Sequence, residues 1–194
     1  AAAVFCGSCL LFLIQPLLGR ILLPLFGGSA AVWTISLAAY QLLLLAGYTY
    51  AHGIAWRRRS KQRAVHLSLL CVASAWAVAF AVLRPELRTV AGNTEQPALE
   101  VLLCVLACVG LPYAALSAGS TVVQGWLAAR GDGDGADASP GSAASVYRLY
   151  AVSNLGSFAG LLVYPFVLEP FVSLSVQWWA VALGVLGLGL LGGS

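Results

Sequence analysis

The chain has 194 residues, of which 60% are hydrophobic and only 9% are charged, and its formal net charge is +3. Soluble domains carry about 25% charged residues, so this composition excludes a water-soluble globular protein. The mean hydropathy of +0.89 likewise indicates that lipid surrounds most of the side chains.

Most of the sequence consists of apolar segments of about twenty residues, each long enough to cross a bilayer as an α-helix. The six predicted spans are residues 4–24, 31–51, 64–83, 98–118, 146–168 and 171–191. The alternation of apolar and polar residues that marks outer-membrane barrels is missing from runs such as 42–45 and 101–109. The sequence therefore predicts an all-α integral membrane protein, a single domain built as a bundle of six transmembrane helices.

The first span places an amide beside a helix kink, because Gln15 precedes Pro16, and Arg20 follows about one turn later. Pro24 and the glycines of 27–29 then end the helix and lead directly into the second span. We expect the first two helices to pack as antiparallel neighbours.

Basic residues concentrate in the connection between the second and third spans. They are Arg57, Arg58, Arg59, Lys61 and Arg63. The positive-inside rule places this connection in the cytoplasm, together with both termini and a flexible loop at 130–145, and places 84–97 and 169–170 outside. We interpret the cluster as a topology signal and a contact for anionic lipid, not as a site for nucleic acid.

The five cysteines all lie within predicted spans, where a thiol packs as a small hydrophobe. They are Cys6, Cys9, Cys71, Cys104 and Cys108. The C-x-x-C pair lacks the soluble scaffold that makes this spacing a redox motif, so we expect packing and no metal site. His52 and His66 flank the basic connection and are expected at the lipid interface. We predict no catalytic residue and no cofactor-binding residue in this chain.

The fifth span contains Asn154, which cannot stay unpaired in lipid, so we expect it to form a hydrogen bond to another helix. Gly156 and Gly160 give the same helix a small-xxx-small stripe that permits close helix packing. The alternative is a substrate site formed by Asn154, Gln15, Gln41 and Tyr40.

Two charged residues are expected within about one turn of the outer face, Arg20 on the first helix and Glu169 on the fifth. Either they pair with each other, or each side chain extends separately to the lipid headgroups.

Several short motifs occur in an order similar to that of the membrane half of multi-pass spermidine synthase-like proteins. The motifs are LFLIQPLLGR at 11–20, LPLFGGS at 23–29, AVWT at 31–34, YQ at 40–41, GYTYAH at 47–52, GLPY at 110–113 with Ser117 and Ser120, LYAVSNLGS at 149–157, YPF at 164–166 and EP at 169–170. The resemblance implies a major-facilitator-like helical domain, equivalent to half of a twelve-helix fold. It also implies a cytoplasmic aminopropyltransferase-like domain of Rossmann-like fold, which would follow Ser194. The glycine-rich residues 131–135 do not follow a buried strand, so we interpret them as linker.

We therefore expect a membrane-embedded anchoring and interaction domain, located in the inner membrane of a bacterium. Its expected partners are the lipid bilayer and either other transmembrane subunits or a second copy. One alternative is an accessory subunit of a larger respiratory or photosynthetic complex, with bound lipid or pigment. A second alternative is a transport module for polyamines or other cations, although His52 stands where such transporters commonly carry an acidic gating residue.

Overall fold

The computed structural model describes residues 1–83, 97–131 and 140–193, and each element in these ranges is helical. The elements are α1 (Ala2–Phe26), α2 (Ala30–Ala55), α3 (Arg59–Leu83), α4 (Pro97–Gly131), α5 (Pro140–Val163), a π-helical segment (Tyr164–Leu168), α6 (Glu169–Phe171) and α7 (Leu174–Gly193). The predicted all-α class is confirmed.

Five helical stretches are long and apolar enough to cross a membrane. They are Ala2–Phe26, Ala30–Ala55, Arg59–Leu83, Pro97–Trp126 and Tyr147–Phe171. These five fit an integral membrane protein. The apolar stretch of α7, Leu174–Gly189, is shorter. A count of six spans therefore stays a prediction.

Some helix boundaries differ from those expected. α4 continues to Gly131 as one helix of 35 residues, about 50 Å long, and so extends beyond the hydrocarbon layer. α5 begins at Pro140, inside the expected loop. The rest of that loop at 132–139, and the outer connection at 84–96, lie outside the described residues.

The outer turn expected at 169–170 lies two to three residues further along, at Val172 and Ser173. Its position is set by Gln177 in the first turn of α7. The Gln177 side-chain Nε2 donates to the main-chain oxygens of Leu168, at 2.9 Å, and Val172, at 2.8 Å. The side chain thereby satisfies two carbonyls near the end of the preceding helix.

Two central helices organise the bundle. α1 packs against α4, α5 and α7, and α4 packs in addition against α2 and α3. Because α3 also packs against α7, these four helices form a ring, with α5 outside it against α1 and α2 outside it against α4. The fully buried side chains are concentrated on the two central helices, and include Ile14, Leu17, Leu18, Leu22, Val101, Val105, Val109 and Tyr113.

The two outer helices approach the central ones through glycine. A Cβ at Gly160 of α5 would lie 2.5 Å from the main-chain oxygen of Cys9, and Gly156 makes the same kind of contact with Phe5 one turn earlier. On the other side of the bundle, a Cβ at Gly47 of α2 would lie 2.6 Å from the Ala114 oxygen on α4. These helix pairs are therefore in direct backbone contact, as small-residue interfaces in membranes allow.

The α1–α2 connection follows from two residues. Gly27 adopts a positive φ of 75°, a conformation that favours glycine, and its N–H caps the Leu23 carbonyl. Ser29 then caps α2, with its hydroxyl accepting a hydrogen bond from the Val32 N–H at 3.4 Å. The turn is short enough to make α1 and α2 run in opposite directions. The two helices do not pack along each other as expected, however, because α2 packs against α4.

Replacing Gly160 by Ala should destabilise the bundle by about 1–3 kcal/mol, because the new methyl group meets the α1 backbone, which cannot move aside. The matched control is Gly187→Ala on α7, where a Cβ would meet nothing within 4 Å. That change should be neutral or stabilising by up to about 1 kcal/mol, through helix propensity alone. The changes in unfolding free energy of both variants are measured by unfolding in mixed detergent micelles with increasing dodecyl sulfate. Equal effects of the two substitutions would contradict the proposed contact.

Candidate functional site

A polar network inside the bundle joins α1, α2 and α4. The Gln15 side-chain Nε2 donates to the Tyr113 hydroxyl at 2.7 Å, and the Tyr40 hydroxyl donates to the main-chain oxygen of Gln15 at 3.3 Å. Tyr113 is fully buried and Tyr40 is only 5% exposed, so these groups satisfy one another away from the lipid. We call Gln15, Tyr40 and Tyr113 the core network.

The core network lies where both central helices contain a proline. Pro16 follows Gln15 in α1, and Pro112 precedes Tyr113 in α4. A proline inside a helix removes one backbone hydrogen bond, so both central helices lack a ladder bond close to this network. The rings of Tyr40 and Tyr113 stack with centroids 5.3 Å apart and planes inclined by 28°.

The chemistry of this network is that of hydrogen bonding. Its members are one carboxamide and two phenols, which provide donors and acceptors but no nucleophile paired with a base. The arrangement can hold three helices in register and can recognise a polar group. The structure thus brings together two of the four residues of the expected substrate site, Gln15 and Tyr40, and adds Tyr113.

The other two residues of that expected site, Gln41 and Asn154, lie elsewhere. Both are exposed on the outer faces of α2 and α5. Within the described part of the chain, Asn154 makes no hydrogen bond, contrary to expectation. The bond between α1 and α5 is made by its neighbour, since the Ser153 and Ser8 hydroxyl oxygens lie 2.7 Å apart. Adjacent residues of a helix point about 100° apart, so the side chain of Asn154 turns away from the interface.

Arg20 and Glu169 are adjacent, but their side chains do not pair. The Arg20 Nη1 donates to the main-chain oxygen of Glu169 at 3.3 Å. Glu169 itself is exposed. Arg20 therefore binds the end of the fifth helical segment through its carbonyl, a contact that neither of the two expected arrangements described.

At the opposite end of the bundle, Gln62 connects three helices. Its side-chain Nε2 donates to the main-chain oxygens of Ala55, at 3.0 Å, and Arg57, at 2.6 Å, at the end of α2. Its Oε1 accepts a hydrogen bond from the Trp126 indole N–H on α4 at 2.8 Å. A single amide thus fixes the basic connection against α4.

Two residues of the basic cluster also contact Trp126. The Arg59 Nη1 donates to the Trp126 main-chain oxygen at 3.1 Å, and the Arg63 guanidinium lies 5.6 Å from the centroid of the indole ring. Arg57, Arg58 and Lys61 are exposed. Between α2 and α4 at this end lies a cleft of about 440 Å³, whose polar and aromatic lining residues are Tyr48, His52, Arg59, Gln62, Thr121 and Trp126.

The two histidines have different environments. His52 is exposed, as expected at an interface, whereas His66 is buried and only 5% exposed, contrary to expectation. His66 lies one turn after Gln62 on α3, so the helical period places both on the inner face of that helix.

The cysteines are unpaired thiols. Cys104 and Cys108 are buried in the core, and Cys9 lies at the α1–α5 contact. Among the described residues, no group of three or more His, Cys, Asp or Glu side chains could hold a metal ion.

Sequence reasoning gave no site role to Tyr113, Gln62 or Trp126, and it placed His66 at the lipid interface. Tyr113 did carry a signal, because it follows Pro112 as Gln15 precedes Pro16, and each central helix therefore has a polar side chain beside its proline. Gln62 gave no separate signal, because it lies among basic residues and the positive charge of that cluster was explanation enough for it.

Replacing Tyr113 by Phe should destabilise the bundle by about 0.5–2 kcal/mol, because the buried Gln15 amide loses its acceptor. Tyr150→Phe is the matched control, since that side chain is 60% exposed. The Gln15→Leu variant and the double variant complete a mutant cycle of unfolding free energies. Additive effects would show that the two side chains do not interact.

The contact of Arg20 predicts an asymmetry between two neutralising substitutions. Arg20→Gln should lower the unfolding free energy by about 0.5–1 kcal/mol, whereas Glu169→Gln should change it little because the accepting carbonyl remains. Exchanging the two charges should accordingly fail to restore stability. Restoration by the double exchange would establish a side-chain ion pair instead.

Comparison with known proteins found no match: no family model, no curated protein and no solved structure resembles the chain. Function therefore has to be inferred from the geometry of the bundle itself.

Proposed function

We propose that this chain is a membrane-embedded anchoring and interaction domain, like the membrane half of multi-pass spermidine synthase-like proteins. In this proposal it is a half-major-facilitator-like bundle of six spans in the inner membrane of a bacterium, with both termini cytoplasmic. Catalysis would belong to an aminopropyltransferase-like domain on the cytoplasmic side, and this bundle would hold that domain at the membrane.

The observation that carries the proposal is the pattern of helix packing. If α1, α2 and α3 are exchanged with α4, α5 and α7, the contact of α1 with α5 becomes that of α4 with α2, and the contact of α4 with α3 becomes that of α1 with α7. The contacts α1–α4 and α3–α7 map onto themselves, whereas the smaller contact of α4 with α5 has no counterpart between α1 and α2. Two three-helix repeats of this kind, inverted in the membrane, are typical of each half of a major-facilitator fold.

The proposed orientation is supported by the residues around one internal cavity. Ala3 at the start of α1 and Leu188 near the end of α7 line it together with His66 and Trp126. The two outermost helix ends therefore lie at the same end of the bundle as the basic cluster. An excess of Lys and Arg favours the cytoplasmic side for that end.

An interaction role is supported by Gln41 and Asn154. Each is a carboxamide exposed on an outer helix face, among exposed apolar side chains such as Leu42 and Leu155. A carboxamide facing hydrocarbon without a partner costs several kcal/mol, so both faces favour cover by a further transmembrane helix. That helix would belong to a second copy or to another subunit.

The same exposed amides favour the accessory-subunit alternative, in which a larger respiratory or photosynthetic complex covers these faces. The cleft beside Arg59 suits an anionic lipid headgroup in either case. Transport of polyamines or other cations has thinner support, since Glu169 is exposed at the end of the bundle and Glu100 is buried at the start of α4.

The test is the mass of the complex extracted from its native membrane in mild detergent. We expect a stoichiometric second copy or membrane subunit that is lost in Asn154→Leu or Gln41→Leu. Thr49→Val is the matched control, because Thr49 is exposed on α2 but already donates to its own helix at Leu45. A wild-type chain that elutes alone, or an assembly unaffected by both leucine variants, would overturn the interaction role.

A further inference from the structure

A second site lies inside the ring formed by α1, α3, α4 and α7. It is a cavity of about 60 Å³, located toward the end of the bundle that carries the basic cluster. Most of its lining is apolar, and the polar side chains on its wall are Ser8, His66, Ser120 and Trp126. This cavity is distinct from the core network and from the 440 Å³ cleft described above.

His66 is the polar group that this cavity leaves unsatisfied. Its side chain is 5% exposed, and its Nδ1 is buried with no hydrogen-bond partner. A neutral imidazole always carries one donor and one acceptor nitrogen, and leaving either unpaired in a buried position costs about 1–3 kcal/mol. Tyr50 and Trp126 lie beside the ring, with centroids 6.1 Å and 6.3 Å away, and the Tyr50 hydroxyl is likewise buried without a partner. The other ring nitrogen, Nε2, makes no hydrogen bond to the described residues and lies 4.0 Å from where a Cβ at the lining residue Gly119 would stand. Nε2 is therefore the nitrogen to which a guest in the cavity can bind.

The volume of the cavity and the polarity of its lining indicate which molecule can bind there. Pockets for organic ligands enclose about 300–1,000 Å³, whereas a water molecule needs only about 10–15 Å³ and two to four polar partners. The Ser120 hydroxyl makes no hydrogen bond to the described residues, so it is free to bind such a guest beside His66. The hydroxyl of Ser8, already bonded to Ser153, extends the polar wall into the interior.

We propose that this cavity is a water-filled proton-binding site in which His66 exchanges protons with the aqueous phase at the basic end of the bundle. A hydronium ion in the cavity transfers its proton to the imidazole Nε2, the ring nitrogen beside Gly119, leaving a water molecule and an imidazolium. A buried ionisable side chain within a membrane bundle is expensive to keep and commonly marks such a proton path.

The charged and titratable groups around His66 are few. Arg63, on the same helix, lies over the opposing Trp126 ring, and Tyr50 approaches from α2. The described lining residues from α1, α4 and α7 are uncharged. Water, the Ser8 and Ser120 hydroxyls on this wall and the unpartnered Tyr50 hydroxyl are the groups near the ring that can accept a hydrogen bond once it is protonated.

The test exploits the presence of only two histidines in the chain. In a His52→Gln variant, ¹⁵N-labelled histidine reports on His66 alone. We expect its ring nitrogens to titrate reversibly and to show magnetisation transfer from water. His66→Gln provides the complementary control, because the remaining signal then comes from the exposed His52 alone.

A cavity-filling variant distinguishes a histidine that binds water in this cavity from a histidine with a purely structural role. A Cβ at Gly119 would lie 4.0 Å from the His66 Nε2 and meet no other atom more closely, so Gly119→Val adds apolar volume beside the ring. We expect the water signal of His66 to be lost in this variant, and Ser120→Ala, which adds no bulk, to weaken it. A His66 ring that does not titrate in the His52→Gln background, or that shows no transfer from water there, would overturn the proposal. A water signal that persists in Gly119→Val would overturn the assignment to this cavity.

Discussion

The close approach of helix backbones at glycine is the constraint on which the rest of this bundle depends. In lipid, apolar side chains gain little by leaving the solvent, so helices associate through tight packing and through hydrogen bonds between them. Gly47 brings α2 onto α4, and Gly156 and Gly160 bring α5 onto α1. Only at such short distances can the short side chains of Ser8 and Ser153 reach each other.

Hydrogen bonds at three positions then fix the rotation and register of the helices. The bond between Ser8 and Ser153 joins α1 to α5, and the core network joins α1, α2 and α4 beside the two prolines. At the basic end, Gln62 fixes α3 and the end of α2 against Trp126 of α4. Because each bond is directional, a rotated or shifted helix would leave a polar group unpaired in a medium that offers no substitute.

The polar groups of this bundle lie in three environments, and each environment has a different implication for function. The core network is internally satisfied and stabilises the fold. Gln41 and Asn154 face outward, which favours association with a further helix in the membrane. His66 is buried and lines the cavity for which we propose proton exchange. The proposed anchoring by the outer faces and the proposed proton exchange in the interior are compatible, because they use different surfaces of the same helices.

The sequence by itself determined the helical class and the approximate positions of the helices, because long apolar runs leave the backbone no other way to satisfy its donors in lipid. It also singled out the polar and small residues that matter, including Gln15, Tyr40, Gly156 and Gly160. Which of them meet was decided by tertiary structure. A rotation of about 100° per residue separates Ser153, which bonds α1, from Asn154, which does not. The burial of His66 likewise depends on how α3 is rotated against the helices of the ring, which its own sequence does not specify.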